Sequence, residues 1–506
     1  MRISVTVHRD LAVSRIDDRL YSAFIEHMGR AIYSGIYEPG HPQADANGFR
    51  QDVMRFVREL KIPAIRYPGG NFVSAYNWED GIGPKESRPV RLDLAWRSKE
   101  TNQVGINEFA IWAKDAGIDM MLAVNLGTRG LADARNFVEY VNHPGGTYWS
   151  DLRREHGVSE PYDVGMWCLG NEMDGPWQTG HKEAKEYGRL ADETAKALRI
   201  LAPKADLIVC GSSNDQMPTY PAWEREVLEE CYDNVDYISL HKYFGNSSRD
   251  TLNYFAKVEE TGRYIQAIAG TIDYVKAKKR SKKDVYICFD EWNVWYHNRE
   301  EDSKRWRTWD WPEAPHLLEE DYNFEDALFV ACLLNEFIRR SDRVRIACIA
   351  QLVNVIAPIR AERGGPAWRQ TIYWPYQLAS LHGRGQALRV GVDGPTYDSL
   401  VADDVSYLDV SAVHDDKEDV VTLFVVNRHL TESAELDIHL GGFGDVRLVD
   451  HRVMAGHDLR ATNGPDKPDA ITPQPGSGVG VEDGRVRGSL AALSYHVVRV
   501  AVASAR

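Results

Sequence analysis

The sequence predicts an α/β fold: a (β/α)8 TIM barrel followed by a C-terminal antiparallel β-sandwich. Up to about residue 380, short apolar runs alternate with amphipathic segments, and polar residues stand where the apolar runs end. After about residue 385, short alternating stretches are separated by Gly, Asp and Pro, a pattern typical of a β-sandwich. A chain of 506 residues is also too long for one ordinary core, so two domains are expected.

Eight apolar runs have the length and composition of strands buried on both faces, and several are nearly continuous in Val, Ile, Leu, Ala and Cys. Helical patterns lie between them. In residues 49–60 and 106–117, apolar residues repeat at three- and four-residue spacing, and the second pattern ends on Gly117, a favourable C-cap. We predict barrel strands within 21–26, 64–66, 120–125, 164–171, 207–211, 235–241, 285–290 and 345–351.

These patterns divide the chain. We assign residues 16–384 to the catalytic barrel and 385–506 to a jelly-roll-like β-sandwich. Residues 1–15 contain a strand outside the barrel count, which we expect to pack with the sandwich. A long surface loop is expected near 461–480, where Gly and Pro are frequent. Sandwich strands are expected near 405–413, 420–426, 434–439, 445–448 and 494–502.

Composition excludes several classes of protein. The net charge of −15 argues against a nucleic-acid partner, because an acidic surface repels phosphate. No stretch approaches the roughly 18 consecutive apolar residues of a membrane span, and the alternating start of the chain does not resemble a signal peptide. None of the six cysteines lies in a CxxC pair, so we expect no metal, no cofactor and reduced thiols in a cytoplasmic protein.

Polar side chains follow most of the predicted barrel strands. Because the carboxyl ends of barrel strands meet at one face, these side chains are expected to converge on an active site. They are Glu26, Arg66, Asn125, Asn171, Glu172, His241, Tyr243, Asp290, Glu291 and Gln351.

Two of these carboxylates indicate glycoside hydrolysis. Glu172 ends the apolar run in VGMWCLGNEMDGPW, and Glu291 ends the run in VYICFDEWNVWY. Glycosidases use two carboxyl groups on either side of the scissile bond, about 5–5.5 Å apart when configuration is retained. Aromatic residues near the same strand ends suit the apolar faces of a sugar; they are Trp78, Trp96, Trp177, Trp292, Trp295 and Tyr296.

Five blocks of the sequence resemble the signature segments of glycoside hydrolase family 51, and they occur in the expected order. The resemblance extends over essentially the whole chain. It implies intracellular, exo-acting α-L-arabinofuranosidase activity, a retaining double-displacement mechanism and, in many members, a homohexamer. The blocks are RYPGGNFVSAYNWEDGIGP (66–84), WCLGNEMDGPWQ (167–178), SLHKYFGN (239–246), DEWNVWY (290–296) and AQLVNVIAPI (350–359).

The resemblance assigns roles to individual residues. Glu172 matches the acid/base and Glu291 the nucleophile. Asn171 matches a residue that binds the sugar 2-hydroxyl, a contact expected to strengthen in the transition state. Glu26 and Asn71 match groups that hold the other hydroxyls of a terminal arabinose.

Further matched residues surround these. Arg66 would keep Glu291 ionised, Tyr243 would orient Glu291, and His241 would lie near the acid/base. Gln351 would contact the sugar, and Trp96 and Trp295 would line the pocket wall. The segment 298–322 is harder to match, and we expect it to shape the leaving-group side.

Other interpretations stay open. An endo-acting glucanase or xylanase on the same fold is the main alternative, and a non-catalytic carbohydrate-binding protein is a third. His241 and Arg66 could be structural, and Trp78 and Trp292 could pack in the core. The α-1,2, α-1,3 and α-1,5 linkages of arabinan and the side chains of arabinoxylan are all compatible with the sequence.

Overall fold

Eight parallel strands close into a barrel in the computed structural model, which describes residues 1–503. The strands follow one another around the barrel in chain order, and the last pairs with the first through Cys348 and Ser22. Each predicted run overlaps one of them, so the predicted barrel is confirmed. The strands are Ser22–Phe24, Ala64–Tyr67, Asp119–Val124, Met166–Leu169, Asp206–Val209, Tyr237–Phe244, Tyr286–Val294 and Val344–Ala350.

The helices pack around the barrel through their apolar faces. Ile106–Ala116 ends as its sequence predicts, because Gly117 adopts φ +72°, a left-handed conformation that favours glycine. Phe324–Arg339 is buried on nearly all sides, since it lies between the barrel and the C-terminal domain. The other α-helices are Gln51–Glu59, Leu131–Asn142, Tyr148–Glu155, Ala184–Leu201, Ala222–Cys231, Thr251–Lys279, Arg299–Arg305 and Tyr373–His382.

The C-terminal domain is rich in antiparallel strands, as predicted, and it includes the first strand of the chain. Arg2–Arg15 lies between Gln386–Asp393 and Ala434–Gly441, antiparallel to the former and parallel to the latter. Its alternate residues Ile3, Val5 and Val7 enter the domain's core. The other strands of this sheet are Leu408–Asp415, Val420–Asn427, Val446–Met454, Gln474–Pro475, Val479–Glu482, Arg485–Leu490 and Ser494–Val502.

The sequence analysis missed parts of this sheet. Gln386–Asp393 and the Val479–Glu482/Arg485–Leu490 hairpin were not expected, because their apolar residues are few and partly exposed. The three remaining two-stranded sheets are short hairpins, whose strands are Arg91–Asp93 with Ser98–Glu100, Ile359–Ala361 with Ala367–Arg369, and Thr396–Tyr397 with Val405–Ser406.

A buried polar cluster attaches the C-terminal domain to the barrel. Asp409 accepts hydrogen bonds from Asn335 (2.6 Å) and from both terminal nitrogens of Arg339 (3.2 and 3.1 Å), and Ser411 donates to Asn335 (2.7 Å). Charge-assisted bonds of this kind are directional, so they fix the orientation of the strand Leu408–Asp415 on the helix Phe324–Arg339.

The expectation of a surface loop near 461–480 is wrong for part of that segment. Ile471 is buried in the same apolar cluster as the barrel, and the buried Asn463 donates to the backbone oxygen of Arg369 (3.1 Å). Burial of one apolar side chain and one satisfied amide anchors the segment on the barrel.

All six cysteines are buried and free. Within residues 1–503, no helix combines the length and the apolar content needed to cross a bilayer.

Candidate active site

Glu172 and Glu291 meet at the mouth of the barrel, joined by one histidine. His241 Nδ1 lies 3.0 Å from Glu172 Oε1 and 3.5 Å from Glu291 Oε2, and one ligand atom from each of the three residues lies within 4.8 Å of the others. Glu172 follows the fourth barrel strand, at φ +43°. A left-handed backbone is strained for a residue with a side chain, so tertiary contacts must hold this turn.

A β-bulge places Glu291 in the site. In a regular strand, neighbouring side chains point to opposite faces, so Asp290 and Glu291 could not both enter the barrel. The register of Tyr286–Val294 shifts between Cys288 and Glu291 against the sixth strand, and between Phe289 and Trp292 against the eighth. The extra residue redirects the chain, and both carboxylates face the barrel interior.

Two side chains donate hydrogen bonds to the Glu291 carboxylate. Arg66 Nη1 donates to Glu291 Oε1 (2.7 Å), and Tyr243 donates to Glu291 Oε2 (2.8 Å). Arg66 Nη2 donates to the Asn171 side-chain oxygen (2.6 Å), whose amide in turn donates to Asn71 (3.1 Å). These contacts stabilise negative charge on Glu291 and orient the two asparagines.

Glu172 is in a different environment. Burial raises the pKa of Glu172, although it accepts hydrogen bonds from His241 and from Trp177 Nε1 (2.6 Å). Burial opposes the charge on His241, but Glu291 and Asp290 raise the pKa of the imidazole well above its usual range. A raised carboxyl pKa is what general acid catalysis near neutral pH requires.

Glu26 closes the other side of the site. Its Oε1 accepts hydrogen bonds from the backbone of Phe72 (2.8 Å) and from Trp96 Nε1 (3.0 Å). A Cβ on Gly70 would lie 2.5 Å from Glu26 Oε2, so glycine is required for this close approach. Gln351 accepts from the Glu26 backbone (2.8 Å). Burial and the nearby Glu291 raise the pKa of Glu26 to about 8.

Gln178 was not predicted from the sequence, and Asp290 was predicted to reach the site but was given no role there. Gln178 donates to Ser74 and lies 3.5 Å from the Asn171 amide and from the Asn71 backbone oxygen. Asp290 lies between Arg66 and His241. Both residues stand next to sequence-predicted ones, but nothing in a linear pattern indicates what a side chain touches.

The chain is similar to known proteins over almost its whole length. Residues 56–263 match the family described as "Alpha-L-arabinofuranosidase 1 domain", and residues 290–494 match the "Alpha-L-arabinofuranosidase C-terminal domain". It is 51% identical to an intracellular exo-α-(1→5)-L-arabinofuranosidase of Halalkalibacterium halodurans, over 98% of each chain. A relative of the same printed name from Bacillus subtilis is 51% identical over 98% of each chain.

A solved structure agrees. The family 51 α-L-arabinofuranosidase AbfB of Bifidobacterium longum is 42% identical and superposes with a TM-score of 0.94, over 98% of this chain and 99% of that one. The chain belongs to glycoside hydrolase family 51. The family predicted from the five sequence blocks is thus confirmed.

The aromatic residues of this family 51 protein divide into two groups. Trp96 and Trp295 lie at the site, where Trp96 binds Glu26 and Trp295 packs edge-on against Tyr243 (5.5 Å between ring centres). Trp78 and Trp292 are buried in the core instead, against Phe137 and Phe337 respectively. Their interpretation as sugar platforms is wrong, because a Trp near a strand end can point either into the pocket or toward the helices.

The segment 298–322 packs against the hairpin that carries Trp96. Trp306 contacts Trp96 edge-on (6.0 Å between ring centres), and Arg97 Nε donates to the Trp309 backbone (2.6 Å). Arg299 lies over Trp295, 4.2 Å from its ring centre. The segment therefore adjoins both pocket tryptophans, while its role in substrate preference stays a prediction.

The Glu172–His241–Glu291 cluster has the spacing of metal ligands. Its chemistry is different, however. Arg66 and Tyr243 already bind both oxygens of Glu291, and an imidazole that carries a second proton offers no lone pair to a metal.

The raised pKa of Glu26 predicts a pH-dependent stability. A carboxyl whose pKa is about 8 in the folded state, against about 4.3 when unfolded, lowers the stability of the fold progressively as pH rises from about 4.3 to about 8, because only the unfolded state loses the proton in that range. Glu26→Gln mimics the protonated form and removes this dependence. We expect the free energy of unfolding, measured by urea denaturation, to fall less for Glu26→Gln than for the wild type between pH 5 and pH 9. For the control Glu160→Gln, at an exposed position, it should change with pH as it does in the wild type. Parallel curves for Glu26→Gln would contradict the assignment.

Proposed function

We propose that this α-L-arabinofuranosidase releases terminal, non-reducing arabinofuranosyl units by a retaining double displacement, with Glu172 as acid/base and Glu291 as nucleophile. The observation that carries the proposal is the proximity of the two carboxylates, whose nearest oxygens lie within 4.8 Å. Inverting enzymes separate these groups by about 6.5–9.5 Å to admit a water molecule, and retaining ones by about 5–5.5 Å.

In the first step, Glu172 donates its proton to the leaving oxygen while Glu291 attacks the anomeric carbon. The raised pKa of Glu172 supports its role as the proton donor. Arg66 and Tyr243 hold both oxygens of Glu291 and so aim the nucleophile. A covalent arabinosyl-enzyme forms, and the leaving alcohol departs.

In the second step, Glu172 accepts a proton from water, which attacks the anomeric carbon and releases arabinose with its configuration retained. Once Glu291 is an ester, its negative charge is gone. This removes one of the charges that raise the pKa of Glu172, so the same group can act as a base. His241, at 3.0 Å, stabilises the ionised Glu172.

The neighbouring polar groups suit an arabinose at the end of a chain. Carboxyl and amide groups come from two hydrogen-bonded pairs, Glu26 with Gln351 and Asn171 with Asn71. With a pKa of about 8, Glu26 keeps its proton at neutral pH and can donate to a sugar hydroxyl as well as accept from one. Relatives that are named exo-acting arabinofuranosidases support exo action and disfavour an endo-acting glucanase or xylanase.

The natural substrate that we propose is a short α-1,5-linked arabino-oligosaccharide. The relatives from Halalkalibacterium halodurans and Bacillus subtilis are named for action on this linkage and as intracellular enzymes. A cytoplasmic location and a homohexamer complete the proposal, the first supported by the names of those relatives and the second by the family resemblance alone.

The assay that tests the substrate compares glycosides in parallel. We expect rapid release from 4-nitrophenyl α-L-arabinofuranoside and, at least about 10²-fold more slowly, from the β-D-xylopyranoside and β-D-glucopyranoside, because the hydroxyl contacts fit one sugar ring. Chromatography of α-1,5-arabinotriose digests should show arabinose from the first time point, with α-1,3-linked substrates cleaved more slowly. Oligosaccharide products from arabinan without free arabinose would favour the endo-acting alternative.

Replacing the nucleophile should stop turnover. We expect Glu291→Ala to lower kcat on the order of 10⁴-fold, since no covalent intermediate can form. Added azide should then attack the opposite face of the sugar and give an arabinosyl azide of inverted configuration, identified by NMR. An azide of retained configuration would assign the nucleophile elsewhere.

Replacing the acid/base should depend on the leaving group. For Glu172→Ala, kcat/KM should fall on the order of 10³-fold with arabinotriose, but less than about tenfold with the 4-nitrophenyl glycoside, which needs no protonation to depart. The measurement is the ratio of the two losses. Equal losses on both substrates would contradict the role of Glu172.

A further inference from the structure

We propose that Asp290 is a positioning residue for both catalytic carboxylates. The inference rests on the proposed function, because it concerns how Glu172 and Glu291 are held. Asp290 is buried and sits between two cations. Its Oδ2 lies 3.1 Å from Arg66 Nε, and its Oδ1 lies 3.1 Å from His241 Nε2.

Each of these cations touches one catalytic group. Through its terminal nitrogens, Arg66 contacts Glu291 (2.7 Å) and Asn171 (2.6 Å). Through Nδ1, His241 contacts Glu172 (3.0 Å). Asp290 therefore lies one contact away from the nucleophile, from the acid/base and from the asparagine of the sugar site.

The contacts also define directions. Asp290 and Arg66 form an ion pair whose angle falls outside that of a hydrogen bond, so the pair fixes position through charge. With His241 the bond is directional. Accepting from Nε2 leaves Nδ1 as the nitrogen that faces Glu172, in the same way that a carboxylate orients an imidazole in other enzymes.

The bulge at Cys288–Glu291 makes this arrangement possible. It lets the consecutive residues Asp290 and Glu291 both face the barrel interior, so Asp290 can contact Arg66 and His241, which in turn contact the two catalytic carboxyl groups. Burial favours the neutral form of Asp290, but Arg66 and His241 outweigh it and lower the pKa of this carboxyl. Asp290 accordingly stays charged while Glu172 gains and loses its proton.

Charge neutralisation without positioning is the competing explanation. It requires only a negative charge near Arg66 and His241, whereas positioning requires that charge at one place. Two variants separate them: Asp290→Asn keeps the shape and removes the charge, and Asp290→Glu keeps the charge and moves it by one methylene.

The experiment measures kcat, KM and the melting temperature for both variants, with arabinotriose and with the 4-nitrophenyl glycoside. We expect Asp290→Asn to lower kcat by at least about 10²-fold with arabinotriose, with KM changed less than about threefold, since a displacement of about 1 Å at the reacting groups costs that much. The 4-nitrophenyl glycoside should also lose more than about tenfold, because it needs Glu291, but it should lose less than arabinotriose, which also needs Glu172 as proton donor. The loss with the 4-nitrophenyl glycoside distinguishes Asp290→Asn from Glu172→Ala.

Asp409→Asn is the matched control. Asp409 is also a buried carboxylate held by arginines, but it lies between the barrel and the C-terminal domain. Its variant should lose stability with kcat unchanged. A kcat within about threefold of the wild type in folded Asp290→Asn would overturn the proposal.

Asp290→Glu decides the question if the asparagine variant does not fold. We expect it to fold, because the charge is kept, and to lose at least about tenfold in kcat. Wild-type kcat in Asp290→Glu would show that charge alone suffices and would also overturn the proposal. Azide rescue of Glu291→Ala is measured alongside, so failure of the positioning role is distinguished from failure of the proposed mechanism.

Discussion

The structure of the site depends on one constraint: charges buried at the barrel mouth must neutralise one another. Arg66 and His241 supply two positive charges, Asp290 and Glu291 lie against them as the negative partners, and burial raises the pKa of Glu172. An unpaired charge at such a place costs about 3–5 kcal/mol. Each ionised group of the cluster is thus held by the others, and its geometry follows from electrostatics as much as from packing.

The barrel supplies directions for this cluster. Parallel strands bring their carboxyl ends to one face, and two local departures from regular structure orient the carboxyl groups of the proposed mechanism. One is the bulge that turns Glu291 inward, and the other is the left-handed turn at Glu172. Both departures cost conformational energy, and the contacts of Arg66, Tyr243 and His241 offset that cost.

Much of this could be predicted from the sequence, because apolar runs ending in polar residues form a one-dimensional pattern. Glu26, Arg66 and His241 lie where the strand ends placed them. The structure was needed wherever a residue's role depends on the direction in which its side chain points. Trp292 stands beside Glu291 in the chain but faces the helices, because neighbouring side chains of a strand point to opposite faces. The burial of Ile471 likewise depends on a distant surface of the barrel that its polar surroundings do not reveal.

The three carboxyl groups of the site, Glu26, Glu172 and Glu291, illustrate how neighbouring groups can differ in their tendency to hold a proton. Of these three carboxyl groups, Arg66 contacts Glu291 alone. The negative charge of Glu291 then raises the pKa of both Glu26 and Glu172, so each favours its protonated form. The position of a single guanidinium therefore distinguishes Glu291 from the other two carboxyl groups. In the proposed mechanism, the charge of Glu291 is lost when its ester forms, so the pKa of Glu172 falls and the same group can change from acid to base.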